Sequence, residues 1–515
     1  MRKKRALCLV IVFVMLMTAA CSTKKEEVIS DDGTPTITYW AEFSGQAKFG
    51  VKTLAELPAY KNLMEETGVN IEYTHPVAGQ VDEQLNLMIA SGELPDIIEY
   101  PFYEYPGGPQ KAVQDGCIIT LNDVFKKYAP NMTAYLNENP EVAKMIRLDS
   151  GEYYTFPAIY DDESLLVFTG PIIRQDYLDK VGMERPETIE EWYNVLKAFR
   201  DELKISSPLS LSYANDYAFL QAFGVIRNLY VVDGKVKYGV VEPEFKKAVT
   251  ELSKWYAEGL IDKNIATLDS KTVTYNMLNG LSGAAVGNTG GGIGSWMASM
   301  KDTPEFNVVA TKYPVLNKGD MPMYGQRINS YSPLGSAAIT TACKNVEAAA
   351  RVLDYGYSEE GRMLFNFGIE GESYNLIDGY PKYSGLVTNN PNGTSLSQMV
   401  SYYTCPHGVG PFLRDGRYYE QIAGLPQQTE SIQMWKQTDA KKHMLPPITL
   451  TTEESAQVAK IKSDLDTYID AAYLKIITGV DSISEYDDFI AGVKALGVER
   501  YIDIYQEAYD RYESK

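Results

Sequence analysis

Histidine and cysteine are scarce in this chain, and their scarcity excludes much chemistry at once. The three histidines, His75, His407 and His443, stand far apart without metal-ligand spacing. Of five cysteines, Cys8 and Cys21 sit at the N-terminus. That leaves Cys117, Cys343 and Cys405, at most one pair and no disulfide framework. Neither metal nor cofactor is expected. GxSxG, HExxH and GK[ST] are all missing, which removes the usual signatures of esterases, metalloproteases and phosphate loops. The one glycine-rich patch, Gly287 to Gly294, fails GxGxxG because Ser295 takes the third glycine position. Basic residues are outnumbered 48 to 68, a formal charge of −20 that repels nucleic acid and anionic lipid. The only long apolar run, Leu7 to Met17, is eleven residues, short of the roughly 20 needed to span a bilayer.

That run follows Arg2, Lys3, Lys4 and Arg5 and leads into Thr18-Ala19-Ala20-Cys21, the layout of a secretory signal over residues 1–20. Cys21 after two alanines resembles the bacterial lipobox, although Thr18 stands where a bulky aliphatic residue is usual. The resemblance implies lipid attachment at Cys21, a tether over 21–33, and a protein held on the outer face of the cell membrane. The remaining chain exceeds the size at which single cores stop growing, roughly 250–300 residues, so two lobes are expected. Its 45% hydrophobic and 23% charged content is that of an ordinary globular protein.

Periodicity supplies the elements. Thr36 to Trp40 and Val69 to Tyr73 read as strands, with a helix from Ala59 to Thr67 between them stopped by Gly68. A helix over Val81 to Ala90 ends at Ser91-Gly92, and Pro95 opens a third strand. This alternation predicts parallel strands with crossover helices. Leu165 to Phe168, Val308 to Val315 and Ala337 to Thr340 read as further strands. Capping boxes open helices at Thr188–Glu191, Thr451–Glu454 and Ser482–Glu485. Tyr501, Tyr505, Tyr509 and Tyr512 form a packing stripe on the last helix.

Four blocks resemble one family. Gln84 to Ile98 (QLNLMIASGELPDII), Ile173 to Gly182 with Pro186 and Thr188, Phe367 to Tyr374 (FGIEGESY), and Ile477 to Tyr512 are similar in order to extracellular solute-binding proteins of family 1. These are the carbohydrate receptors of ABC importers, in their large Gram-positive lipoprotein subgroup. The resemblance spans residues 36 to 513. It implies an α/β, two-lobed periplasmic-binding-protein fold of type II (the Venus-flytrap form) with hinge crossings. The first lobe would take 34–157 and 310–370, the second 158–309 and 371–515. It also implies an oligosaccharide ligand, ABC permease subunits as partners, a monomer, and no enzymatic activity. Relatives often carry a calcium loop after the helix opened by Thr188. Here Asp201 to Pro208 lacks alternating oxygen ligands, so no metal site is expected.

Ligands of such sheets bind beyond the carboxyl ends of parallel strands. That rule selects Trp40, Glu42 and Phe43 after the first strand, Tyr100, Phe102 and Tyr103 after the third, and Tyr160 at the first crossing. Asn288 and Trp296 flank the glycine patch, whose bare backbone could approach a ligand. Tyr331 and Glu372 lie near the later crossings. The acidic balance favours a neutral sugar, a preference Arg327 or Arg414 would reverse locally if either faces the cleft. Two other readings remain open: a sensing or adhesive surface lipoprotein of the same fold, and a secreted glycosidase working with two carboxylates.

Overall fold

Two sheets, each with its own apolar core, form the body of the protein. The computed structural model describes residues 33–43, 47, 50–406 and 409–515; the expected signal peptide and Cys21 lie outside the described residues. In chain order the strands are β1 (Thr36–Trp40), β2 (Asn70–Thr74), β3 (Ile97–Glu99), β4 (Phe156–Tyr160), β5 (Thr169–Arg174) and β6 (Leu209–Ser210), then the hairpin β7 (Leu229–Val232) and β8 (Lys235–Tyr238). There follow β9 (Ala284–Asn288), β10 (Val308–Ala310), β11 (Tyr331–Ile339), the hairpin β12 (Tyr374–Ile377) and β13 (Tyr380–Tyr383), and β14 (Leu413–Arg414).

The first sheet runs β14-β4-β11-β3-β1-β2 and the second β10-β5-β9-β6. Pairing of β1 with β2 and β3 is parallel, as the strand–helix alternation predicts, while β11 inserts antiparallel between β3 and β4. In β1, Ile37 and Tyr39 point into the core with Ile71, Leu63, Phe156 and Leu353. The second core gathers Trp192, Phe219, Phe245, Trp255 and Tyr473 around β5 and β9.

Local signals explain the helix ends. Helix Pro58–Thr67 carries proline in its first turn and stops at Gly68, whose φ of 60° suits a residue without Cβ. Helix Ile189–Asp201 opens on a complete capping box: Glu191 N–H donates to Thr188 Oγ1 and Thr188 N–H to Glu191 Oε2, both at 3.1 Å. It buries Trp192, Val195, Leu196 and Phe199 at helical spacing. The boxes at Thr451 and Ser482 are also formed. In the final helix Tyr501 and Tyr512 are buried, and Tyr505 and Tyr509 are half-buried.

Three expectations need correction. Leu165 to Phe168 is not a strand: Glu163–Leu165 is a short 3-10 turn capped by Asp162, and pairing begins at Thr169. The apolar run reflects burial at a crossing rather than a ladder. Within Val308 to Val315 the strand covers only Val308–Ala310; Pro314 cannot donate to a ladder, and Val315 makes an isolated parallel bridge to Thr188. The lobe boundary also moves. Leu413–Arg414 pairs with β4 in the first sheet, and Cys405, Phe412 and Leu413 pack in its core, whereas the resemblance places residues after 370 in the second lobe. Tyr313 likewise packs in the second core rather than the first.

The chain therefore crosses between the sheets around 161–168, 316–330 and 415–425. The first two crossings are tied together. Ile328 N–H donates to Leu166 O at 2.9 Å, Gln326 Oε1 accepts from Phe168 N–H and Thr169 N–H, and Arg327 pairs with Glu163 at 2.7 Å. The third is anchored by Asp415, 1% exposed, which accepts from Arg362 Nε at 2.9 Å and Arg417 Nη2 at 2.6 Å. At the C-terminus, Arg511 and Lys515 reach Asp149 of the first lobe at 2.7 and 2.9 Å. Cys117, Cys343 and Cys405 are all buried. Among the described residues no helix is long and apolar enough to cross a membrane.

Candidate functional site

A cavity of about 1080 Å3 lies between the two cores. Its first wall comes from the first lobe: the helix Leu396–Tyr403 with Cys405, then Arg414 and Tyr418 just past β14. Its second wall is the segment after β9, where Gly290, Gly294 and Ser295 present mainly backbone. Beta strands β14 and β9 both end at this cavity, so it sits beyond carboxyl ends as the parallel-strand rule requires.

The glycines have distinct reasons. A Cβ on Gly290 or Gly291 would meet nothing within 4 Å, so at these two positions the backbone is uncovered. A Cβ on Gly294 would come within 2.6 Å of Gln428 Nε2, and one on Gly287 within 3.3 Å of the Trp296 ring. The patch thus opens the cavity at one end and permits close packing at the other. Two smaller cavities, about 610 and 510 Å3, meet at Asn215 and Asn288 on the same side of the second sheet.

On the first wall, Arg414 lies in register with Tyr160, and its guanidinium carbon stands 3.8 Å over the Tyr418 ring. Burial pushes the Tyr160 phenol up, against the lowering effect of Arg414. Cys405 connects this wall to a deeper aromatic group: Tyr60 Oη lies 3.7 Å from Cys405 Sγ, and Tyr39 stacks on Tyr73 at 5.3 Å. There Glu99, the last residue of β3, accepts from Tyr39 Oη at 3.1 Å. Burial pushes its carboxyl up to about 8, the Tyr39 hydrogen bond pulls it back, and the charge of Glu42 adds to the rise.

The sequence-selected residues divide. Asn288 is exposed at the meeting of the two smaller cavities, its Oδ1 accepting from Thr169 Oγ1 at 2.6 Å. Tyr160 stands beside Arg414 on the neighbouring strand without lining the large cavity, and Glu42 stands beside Glu99. Phe43 is buried against the His75 ring at 5.1 Å. Trp40, Tyr100 and Phe102 come together in a separate core cluster with Leu85 and Leu94; Tyr100 Oη donates to Asp82 at 2.8 Å. Tyr103 is half-exposed nearby, and Tyr331 is buried with its hydroxyl 3.0 Å from that of Tyr154. Glu372, exposed, accepts from Tyr403 Oη at 2.8 Å away from the cavity. Trp296 is 2% exposed, its indole N–H donating to Thr274 Oγ1 at 3.0 Å; it lines the 510 Å3 cavity with Asn288 but not the large one.

Glu99, Cys405 and Tyr418 were not selected from sequence. Glu99 ends a strand whose following residues were chosen instead. Tyr418 and Cys405 fall in the segment that the lobe boundary misplaced. Among the described residues no group of three His, Cys, Asp or Glu could hold a metal ion.

Comparison with known proteins places this geometry. The sequence profile described as bacterial extracellular solute-binding protein matches residues 52–363. A fructooligosaccharide ABC transporter substrate-binding protein, FusA, of Streptococcus pneumoniae serotype 4 is 25% identical over 97% of this chain and 96% of its own. Lipoprotein LipO of Bacillus subtilis is 26% identical over 73% of this chain and 74% of its own. The crystal structure of the alginate-binding protein AlgQ2 without calcium ion superposes with a TM-score of 0.73 at 24% identity, covering 92% of this chain and 98% of that one.

Proposed function

The chain belongs to the bacterial extracellular solute-binding proteins, and we propose that it captures an oligosaccharide between its lobes and delivers it to an ABC importer. The observation that carries this reading is the position of the large cavity, between two cores and lined from both. A ligand there touches Arg414 and Tyr418 on one side and the backbone at Gly290 on the other. Only an arrangement with both walls close makes all these contacts, so binding shifts the population toward the closed form. The permease would read that closed shape. Tyrosines suit the ligand class, giving flat apolar faces for sugar C–H groups and hydroxyl tips for hydrogen bonds. The name of the relative FusA supports an oligosaccharide, and that of LipO supports lipid attachment, here at Cys21. Anchoring would keep the receptor beside the permease on the outer face of the membrane.

The test is a thermal-shift screen against neutral and acidic oligosaccharides. A ligand at 100 times its dissociation constant adds about 2.7 kcal/mol of apparent stability. The expected result is a shift with at least one oligosaccharide, recovered chemically unchanged by mass spectrometry. Silence across the panel, or cleavage of the glycan, overturns the reading.

A further inference from the structure

Arginine in this protein is almost always neutralised. Of twelve arginines among the described residues, ten reach a carboxylate within 4.0 Å. Arg147, one of the two exceptions, donates to Tyr153 Oη at 2.8 Å. The other is Arg414. It is 7% exposed, its Nη1 is buried without a hydrogen-bond partner, and its neighbours are the rings of Tyr418 and Phe412. A buried guanidinium without an anion is costly, and such groups are normally paired. Arg327, by contrast, spends its charge on Glu163 at the hinge.

The surroundings agree. Arg414 lines the interlobe cavity, Lys301 lines it from the opposite wall, and no aspartate or glutamate is among its lining residues. Neither cation has an ion pair among the described residues. This occurs in a chain where acids outnumber bases 68 to 48. Another cavity of the first lobe is lined instead by Glu66, Glu359, Glu360 and Glu370 with a single cation, Arg417.

We infer that the cavity selects an anionic saccharide, its carboxylate or sulfate accepting hydrogen bonds from the Arg414 guanidinium while Lys301 adds attraction from the other wall. The inference rests on the receptor reading and names the class of its ligand. It reverses the preference for a neutral sugar that net charge alone suggests. Planar guanidinium matches a carboxylate in two parallel hydrogen bonds, and Tyr418 beneath it fixes the plane of presentation.

The experiment is isothermal titration calorimetry with a galacturonate tetramer, its methyl-esterified form, and a neutral fructooligosaccharide of equal length. The wild-type protein should bind the free acid roughly 10- to 100-fold more tightly than the ester, the worth of a hydrogen bond to a charged group. In Arg414→Gln that preference should vanish, and in Arg414→Lys it should persist in part. Lys301→Gln, at an exposed site, cannot disturb the core and should lower the preference by a smaller factor; it covers the case in which Arg414→Gln does not fold. Equal or tighter binding of ester or fructooligosaccharide by the wild-type protein overturns the anionic assignment and leaves the receptor reading standing. An acid preference unchanged in both Arg414→Lys and Lys301→Gln overturns the assignment of these residues. Failure of every saccharide to bind overturns the receptor reading, and the inference with it.

Discussion

The two walls of the cavity are built on opposite principles. The first lobe presents side chains: a guanidinium without an ion pair and a tyrosine ring beneath it. The second lobe presents backbone at Gly290, where nothing stands within 4 Å of a side chain's first atom, with Lys301 as its one charged side chain. The first wall supplies most of the chemical discrimination, and the second supplies close approach with a single cation. Gln428 donates to Thr289 O at 3.1 Å, and Gly287 and Gly294 pack close to Trp296 and Gln428, so the glycine patch is open at Gly290 and tightly packed at its ends.

That contrast can be broken in order of effect. Trp296→Ala removes a buried indole and its hydrogen bond to Thr274, and should lower unfolding free energy by about 3–5 kcal/mol in denaturant titration. A ligand-platform role predicts instead a normal baseline with lost binding. Gly290→Phe should do the reverse. Its ring fills the opening that a ligand needs, costing about 1–3 kcal/mol of binding by calorimetry, while the melting temperature stays at the wild-type value. A comparable loss of stability would place Gly290 in a packed region.

The carboxyl at the end of β3 sharpens the comparison through pH. Unfolded, Glu99 titrates near 4.5, and folded it is pushed up to about 8. Between those values the native chain keeps a proton that the unfolded chain has released, so this group makes stability fall as pH rises. Glu99→Gln should remove that slope: relative to the wild type, its melting temperature should gain steadily from about pH 4.5 to pH 8. Parallel curves for the two proteins would deny the raised value. The smallest effect belongs to Thr188→Ala, far from both walls. Losing the N-cap should cost about 1 kcal/mol by denaturant titration with binding unaltered.

Much of the scaffold was legible because its signals are local. Gly68, Gly92 and the Thr188 and Thr451 capping boxes act within a few residues, and each helix they bound forms as read. Strand pairing is not local, and there the reading weakened. Leu165 to Phe168 has the composition of a buried strand but lies in a crossing, where burial comes from neighbouring segments rather than a ladder. The site suffered most. Aromatic residues past strand ends were chosen for their chemistry, yet Trp40 and Phe102 turn into the core that covers those strands. Arg414 and Tyr418 gain their place only because β14 returns to the first sheet from more than 250 residues away, next to β4. No local pattern announces that return. The glycine patch was recognisable, since a run of residues without side chains leaves few packing roles.

The most direct measurement is a crystal structure grown with the tightest-binding oligosaccharide of the screen. The account predicts intact glycan in the interlobe cavity, touching Arg414 and Tyr418 on one side and backbone between Gly290 and Ser295 on the other. Glycan seated on an outer surface, with that cavity holding only solvent, would contradict it.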